Sequence, residues 1–192
     1  MTTFEPTGIA DAAAAIRRGE VVAFPTETYY GLAVDALDIA ALHRLFALKG
    51  RDSEKASALL VADLAMFASL CAEVPARARD LAAAHWPGPL TLALPARSGL
   101  PAAIVRDGFV AARVSSHKLA QALVEAVGRP ITATSANPAG SPPPRGAAEV
   151  RAHFAEGLHL LEGGETPGGP PSTLVRLRGD DVEILRRGAI EI

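Results

Sequence analysis

The stretch FPTETYYGLAVDA, Phe24–Ala36, interrupts an apolar run with a polar turn and then returns to apolar residues. The run before it, VVAF, is short and β-branched and reads as a buried strand ending at Pro25, where the ring removes a backbone donor. Two threonines, a glutamate and both of the chain's tyrosines follow directly, then Gly31. A polar turn at the end of a buried strand is where ligand sites gather in α/β proteins. The two adjacent tyrosines therefore need a reason.

Outward from this turn, helix-like and strand-like segments alternate. ADAAAAIRRGE reads as a helix with Arg17 and Arg18 in its last turn, stopped by Gly19. Asp38 is a plausible N-cap for a helix burying Ile39, Leu42, Leu45 and Phe46, with Gly50 at its left-handed C-terminus. ALLVA reads as a strand, and Asp63 caps the helix after it. HWPGPLTLALP gives a rigid turn opening into a strand, and FVAARV is another. Leu119, Ala120, Leu123, Val124 and Val127 have helical spacing. PITAT is a strand, SANPAGSPPPRG an irregular connection, AAEVRAHFA a helix, and short strands surround HLLE, STLVRL and VEILRR. Several strand pairs lack room for a crossover helix, so the expected fold is a single α/β domain over residues 1–192 with a mixed parallel and antiparallel sheet and flanking helices.

The chain has 192 residues, 49% of them hydrophobic, enough for a substantial core. A net charge of -2 argues against bulk capture of nucleic acid or an anionic membrane. No apolar run approaches the roughly 18 residues that span a bilayer, and the N-terminus lacks the features of a secretory signal. A cytoplasmic protein is expected. The single cysteine, Cys71, excludes an internal disulfide, and an apolar helix face accounts for it.

The sequence contains no phosphate-binding P-loop, no G-x-G-x-x-G, no H-E-x-x-H and no G-x-S-x-G. The five histidines share no ligand spacing, so no protein-held metal is expected. What remains is a set of cations and hydroxyls at element ends: Lys49, Arg51, Lys55, Arg113, Ser135, Asn137, Ser172, Thr173, Arg186 and Arg187. Singly, each has a plain structural explanation, such as a lysine favoured by the helix dipole. Together they suit a polyanionic ligand, with guanidinium forks on phosphate or carboxylate.

AFPTETYYGLAVDA, LKGR…K, WPGPLTLALP, VAARVSSH, ITATSANPAG, PSTLV and ILRRGAI occur in the order seen in the YrdC-like family, which the chain resembles from about residue 10 to its end. The resemblance implies an open, twisted mixed sheet with helices outside and a concave, positively lined face. It also implies a reaction that joins L-threonine, bicarbonate and ATP into threonylcarbamoyl-adenylate and pyrophosphate. Magnesium would be carried in with ATP. Partner proteins would then pass the threonylcarbamoyl group to adenosine beside the anticodon of certain tRNAs, so tRNA is met indirectly or weakly. The alternatives are an RNA-binding module of the same fold and a paralogue adenylating another carbamate.

Residue by residue, the resemblance places Thr26, Thr28, Tyr30, Arg113, Ser135 and Ser172 at L-threonine, with Arg113 on its carboxylate. It places Lys49, Arg51, Lys55, Ala133, Ser135, Asn137 and Arg186 at ATP, with Lys49 and Arg51 as the catalytic cations. Tyr30 equally suits a core plug, and Tyr29, where the family often has an aliphatic residue, reads as the expendable tyrosine. Lys49 and Arg51 follow a helix end, so replacing either is expected to leave the fold intact. The chain departs from the family pattern at Asp52, Ala56, Ser57, Phe109 and Pro142 to Arg145.

Overall fold

The structure, a computed structural model, describes residues 8–50, 56–154 and 157–192. β1 (Val22–Pro25) and β2 (Tyr30–Ala33) form a hairpin around the polar turn, with Phe24 opposite Gly31. Side chains of the first strand alternate between two cores: Val22 and Phe24 pack into one, Ala23 into the other. Leu59 and Val61 against Leu60 do the same one segment later. Both faces of these strands are buried, which is why VVAF and ALLVA are continuous apolar runs rather than alternating ones.

One core lies under α1 (Ile9–Arg17) and α5 (Lys118–Val127), where Ala12, Ile16 and Leu123 have no exposed surface. The other lies under α2 (Ile39–Lys49), α3 (Leu64–Ala68) and α4 (Ala76–His85), through Leu42, Leu45, Phe67 and Leu81. The Asp38 carboxylate accepts from the Ala41 N–H at 3.0 Å, and Gly50 ends α2 in the left-handed region at φ 59°. Asp63 caps α3 through the Met66 N–H at 2.7 Å. Ile39 departs from expectation: it is 59% exposed, because it extends the apolar stripe past the layer that covers the helix.

Parallel and antiparallel pairings mix, as expected, but in two sheets. The four-stranded sheet runs β8 (Thr134–Ser135), β2, β1, β9 (His159–Leu160), with β9 parallel to β1. The seven-stranded sheet runs β11 (Asp181–Arg186), β10 (Thr173–Arg178), β4 (Leu90–Pro95), β6 (Phe109–Arg113), β3 (Leu59–Leu60), β7 (Ile131–Thr132), and β5 (Val105–Arg106) pairs β6. PITAT is therefore shared between sheets. The Thr132 hydroxyl donates to Leu32 O at 3.0 Å and accepts from the Val34 N–H at 3.1 Å, while the Ala133 N–H reaches Ala58 O at 2.9 Å. This stitch brings the ends of both sheets together. The remaining helix, α6 (Ala147–His153), follows the proline-rich connection.

Cys71 is not on a helix face. It follows α3, bridges Ala96, and donates its thiol to Phe67 O at 3.2 Å; burial pushes that thiol up to about 12. It is a packed side chain rather than a nucleophile. Among the described residues no helix is long and apolar enough to cross a membrane.

Candidate functional site

A cavity of about 910 Å³ opens where the two sheets meet, the upper end of the size range for small-molecule sites. Its wall includes Thr26, Thr28, Tyr30, Arg113, Ala133, Ser135, Ser172 and Arg186. Residues from four separate parts of the chain thus converge. Lys49 and Asn137 do not line it. Arg51 and Lys55 lie outside the described residues, as does Asp52.

The PTET turn holds itself. The Thr26 hydroxyl donates to Tyr29 O at 2.7 Å and accepts from the Thr28 N–H at 3.2 Å. Its one proton being used there, the 3.3 Å contact between the Thr26 and Thr28 hydroxyls has Thr28 as donor. Thr28 therefore keeps lone pairs to offer a ligand, whereas the 3% exposed Thr26 serves mainly as the turn's staple. Gly31 sits in tight space: a Cβ there would stand 3.3 Å from the Phe24 ring and 3.4 Å from Thr134 O, so the ring would have to give by a few tenths of an ångström.

Both tyrosines grip one segment. The Tyr30 hydroxyl donates to Gly164 O at 2.8 Å and accepts from the Gly163 N–H at 3.1 Å, and the ring has no exposed surface. Burial raises its pKa. Tyr29 donates to Gly169 O at 3.1 Å, and the Gly168 N–H reaches Thr28 O at 2.8 Å. The glycine-rich strap leading to Ser172 is thus fastened to the turn, and Tyr29 lines the cavity beside Tyr30. Arg145 supports the strap from behind, its Nε donating to Thr166 O at 3.2 Å.

Two guanidiniums, those of Arg113 and Arg186, stand on the same cavity wall, near enough for the charge of one to act on the other. Arg186 donates Nε and Nη2 to Ser172 O at 3.1 and 2.9 Å, and Nη2 also to the Ser172 hydroxyl at 3.1 Å. Burial first, and then the neighbouring Arg113 cation, lower its pKa. Two cations this close favour an anion between them. The Ser172 and Thr91 hydroxyls are 2.7 Å apart; with Thr91 donating, Ser172 keeps its own proton for a ligand. Gly188 makes this geometry possible, since a Cβ there would fall 2.1 Å from Pro171 O and 2.6 Å from the Ser172 carbonyl carbon.

Lys49 has structural partners that the sequence reading did not foresee. It is 4% exposed, and its ammonium donates to Ser135 O and, at 2.9 Å, to Asn137 O. It thereby ties the end of its helix to the segment over residues 135–137. Asn137 acts locally too, its amide nitrogen donating to Pro138 O at 3.0 Å and Ser141 O at 2.6 Å. The Ser135 hydroxyl, on the cavity wall, makes no hydrogen bond among the described residues. Glu27, Ser115 and Thr91 were not singled out by sequence reasoning. Glu27 sat in plain view between two candidate threonines, but a carboxylate inside a cationic site has no obvious part until its partner is seen. At the rim, Phe109 carries Arg176 and Arg178 over its ring, 5.3 and 5.6 Å from the centroid. No three His, Cys, Asp or Glu side chains gather to hold a metal among the described residues.

The profile of the Sua5/YciO/YrdC family, described as telomere recombination, matches residues 14–188. The chain is 40% identical over 184 residues to a threonylcarbamoyl-AMP synthase of Pyrococcus abyssi, covering 94% of this chain and 54% of that one. It is 42% identical over 181 residues to a threonylcarbamoyl-AMP synthase of Chromohalobacter salexigens, covering 93% and 96%. The chain therefore spans about half the length of the first relative and nearly all of the second. The crystal structure of P. abyssi Sua5 complexed with L-threonine superposes with a TM-score of 0.89 at 40% identity, covering 94% of this chain and 54% of that one.

Proposed function

The chain belongs to the Sua5/YciO/YrdC family, and from that premise we propose that it joins L-threonine, bicarbonate and ATP into threonylcarbamoyl-AMP, releasing pyrophosphate. The observation that carries this reading is the presence of Arg113, Arg186 and the Arg186-bound Ser172 on the wall of one cavity, together with the PTET turn. A carboxylate and a phosphate can share such a pair. Arg113 takes the threonine carboxylate, and Thr28 or Ser172 reads its hydroxyl. The threonine amine forms a C–N bond to the bicarbonate carbon as a C–O bond breaks and water leaves. The resulting carbamate oxygen then attacks the α-phosphorus of ATP, forming the new P–O bond as the bond to pyrophosphate breaks.

Both reactants are anions, so the site's work is positioning and charge neutralisation. Arg186 supplies charge at the cavity wall. Arg51 and Lys55 are proposed as phosphate contacts, as the resemblance implies, and magnesium as arriving on the nucleotide. Lys49 contributes by holding the Ser135 to Asn137 loop. The adenylate would pass in the cytoplasm to threonylcarbamoyl-transfer proteins acting on tRNA.

Product analysis after incubation with ATP, bicarbonate and single amino acids tests the reading. Threonine should be preferred and valine poor, because valine would leave the polar partners of the hydroxyl unpaired. Serine lacks only a methyl group, worth about 1–3 kcal/mol, so some serine product should form at high concentration. Equal rates with valine would remove threonine as the substrate even if an adenylate formed. RNA binding with no pyrophosphate release would favour the RNA-binding module instead.

A further inference from the structure

The Arg113 guanidinium is held from behind. Its Nε donates to Glu27 Oε1 at 2.8 Å, and the Ser115 hydroxyl donates to Glu27 Oε2. The Arg113 and Glu27 side chains are only 8% and 11% exposed. Arg113 lines the cavity and Glu27 does not. Both carboxylate oxygens are thus engaged on the far side of Arg113. The two terminal nitrogens of Arg113 make no hydrogen bond among the described residues. Arg186, beside it, has no carboxylate partner among them, only Ser172.

We propose that Glu27 is a positioning residue for amino-acid recognition: it fixes the plane of the Arg113 guanidinium and aims its free edge at the substrate carboxylate. Two physical reasons support this. A guanidinium bound through Nε cannot rotate about its long side chain, so less entropy is lost when a carboxylate docks on the remaining edge. The Glu27 charge also offsets the repulsion between Arg113 and Arg186, letting both cations stand in the site before any anion arrives. The hairpin supplies the geometry, since the turn bearing Glu27 also bears Thr28. The contacts to the carboxylate and to the hydroxyl are thereby set by one rigid turn.

This inference rests on the proposed reaction for its ligand, and a double-mutant cycle tests it. Glu27→Ala should raise KM for threonine roughly tenfold or more, and leave KM for ATP within about threefold. Glu27→Gln, which keeps the shape, should show the same preference more weakly. In an Arg113→Ala background the sign should invert. There Glu27 would be a buried carboxylate without its cation, held only by Ser115 and repelling the substrate's own carboxylate, so removing it should lower KM for threonine. A merely structural Glu27 would raise both KM values together, and a further loss in the Arg113→Ala background would overturn the proposal.

A second readout is independent of substrate. The Arg113 Nε–H NMR resonance, assigned with Arg113→Lys, should exchange slowly in the wild type and quickly in Glu27→Ala. Equal exchange in both proteins would overturn the positioning role. Slow exchange confined to the wild type, in a protein that turns over no amino acid, would sink the proposed reaction and leave the positioning intact.

Discussion

Single atoms decide much of this site. Gly188 is the clearest case, because its missing Cβ is what lets the C-terminal segment lie against Pro171 and Ser172. Gly188→Ala must shift that backbone, with an expected cost of about 1–3 kcal/mol in stability. Moving Ser172 by an ångström should also lower pyrophosphate release on the order of a hundredfold. Chemical denaturation and a turnover assay would check both; a normal rate would mean that Ser172 tolerates displacement. The tyrosines offer a graded comparison. Tyr30→Phe leaves a half-buried carbonyl and N–H of the strap without their partner, a loss of about 1 kcal/mol, and Tyr29→Phe should cost less because its bond is exposed. The reverse order would show that the strap is held mainly at Gly169.

Elements matter here by where they end. The last turn of α2 delivers Lys49 to two carbonyls of the loop after β8, so a helix terminus fixes a cavity wall it does not itself touch. Lys49→Ala should therefore destabilise the protein by about 1–3 kcal/mol, chiefly for the Asn137 carbonyl, since Ser135 O keeps the Asn137 N–H, as well as slow the reaction. Unchanged denaturation with reduced turnover would return Lys49 to a direct role at phosphate. A change confined to packing behaves differently. Leu123→Ala, between α5 and the core beneath it, should cost about 2–5 kcal/mol while leaving both KM values alone. A raised KM in that variant would mean that the layer transmits strain to the site.

At the scale of the whole molecule, acid sensitivity has a buried source. His117, at the N-cap of α5, has its Nδ1 buried without a partner, and burial lowers its pKa below 6.5 although Glu27 opposes the shift. The folded protein thus refuses a proton that the unfolded chain accepts. The contribution of neutral His117 to stability is present above pH 6.5 and is lost as pH falls through the folded-state value. The denaturation midpoint should drop as pH falls below 6.5, and His117→Asn should flatten that drop. An equal drop in the variant would place the acid sensitivity elsewhere.

Local rules carried the element order, the caps at Asp38 and Asp63, and the left-handed Gly50, because each depends on neighbours within a turn or two. The sequence also determined the mixture of parallel and antiparallel strands, since connection length limits which pairs can form. The family motifs named most of the cavity wall. Only the tertiary structure decided what those residues do. PITAT looks like one strand, and its division between two sheets follows from long-range pairing with Leu59 and Leu32. Lys49, Glu27 and the two tyrosines take their roles from partners 86 to 140 residues away, at Ser135, Arg113, Gly164 and Gly169. No periodicity encodes such contacts: a buried charge or hydroxyl acquires its function from whichever distant group the fold brings within hydrogen-bond reach.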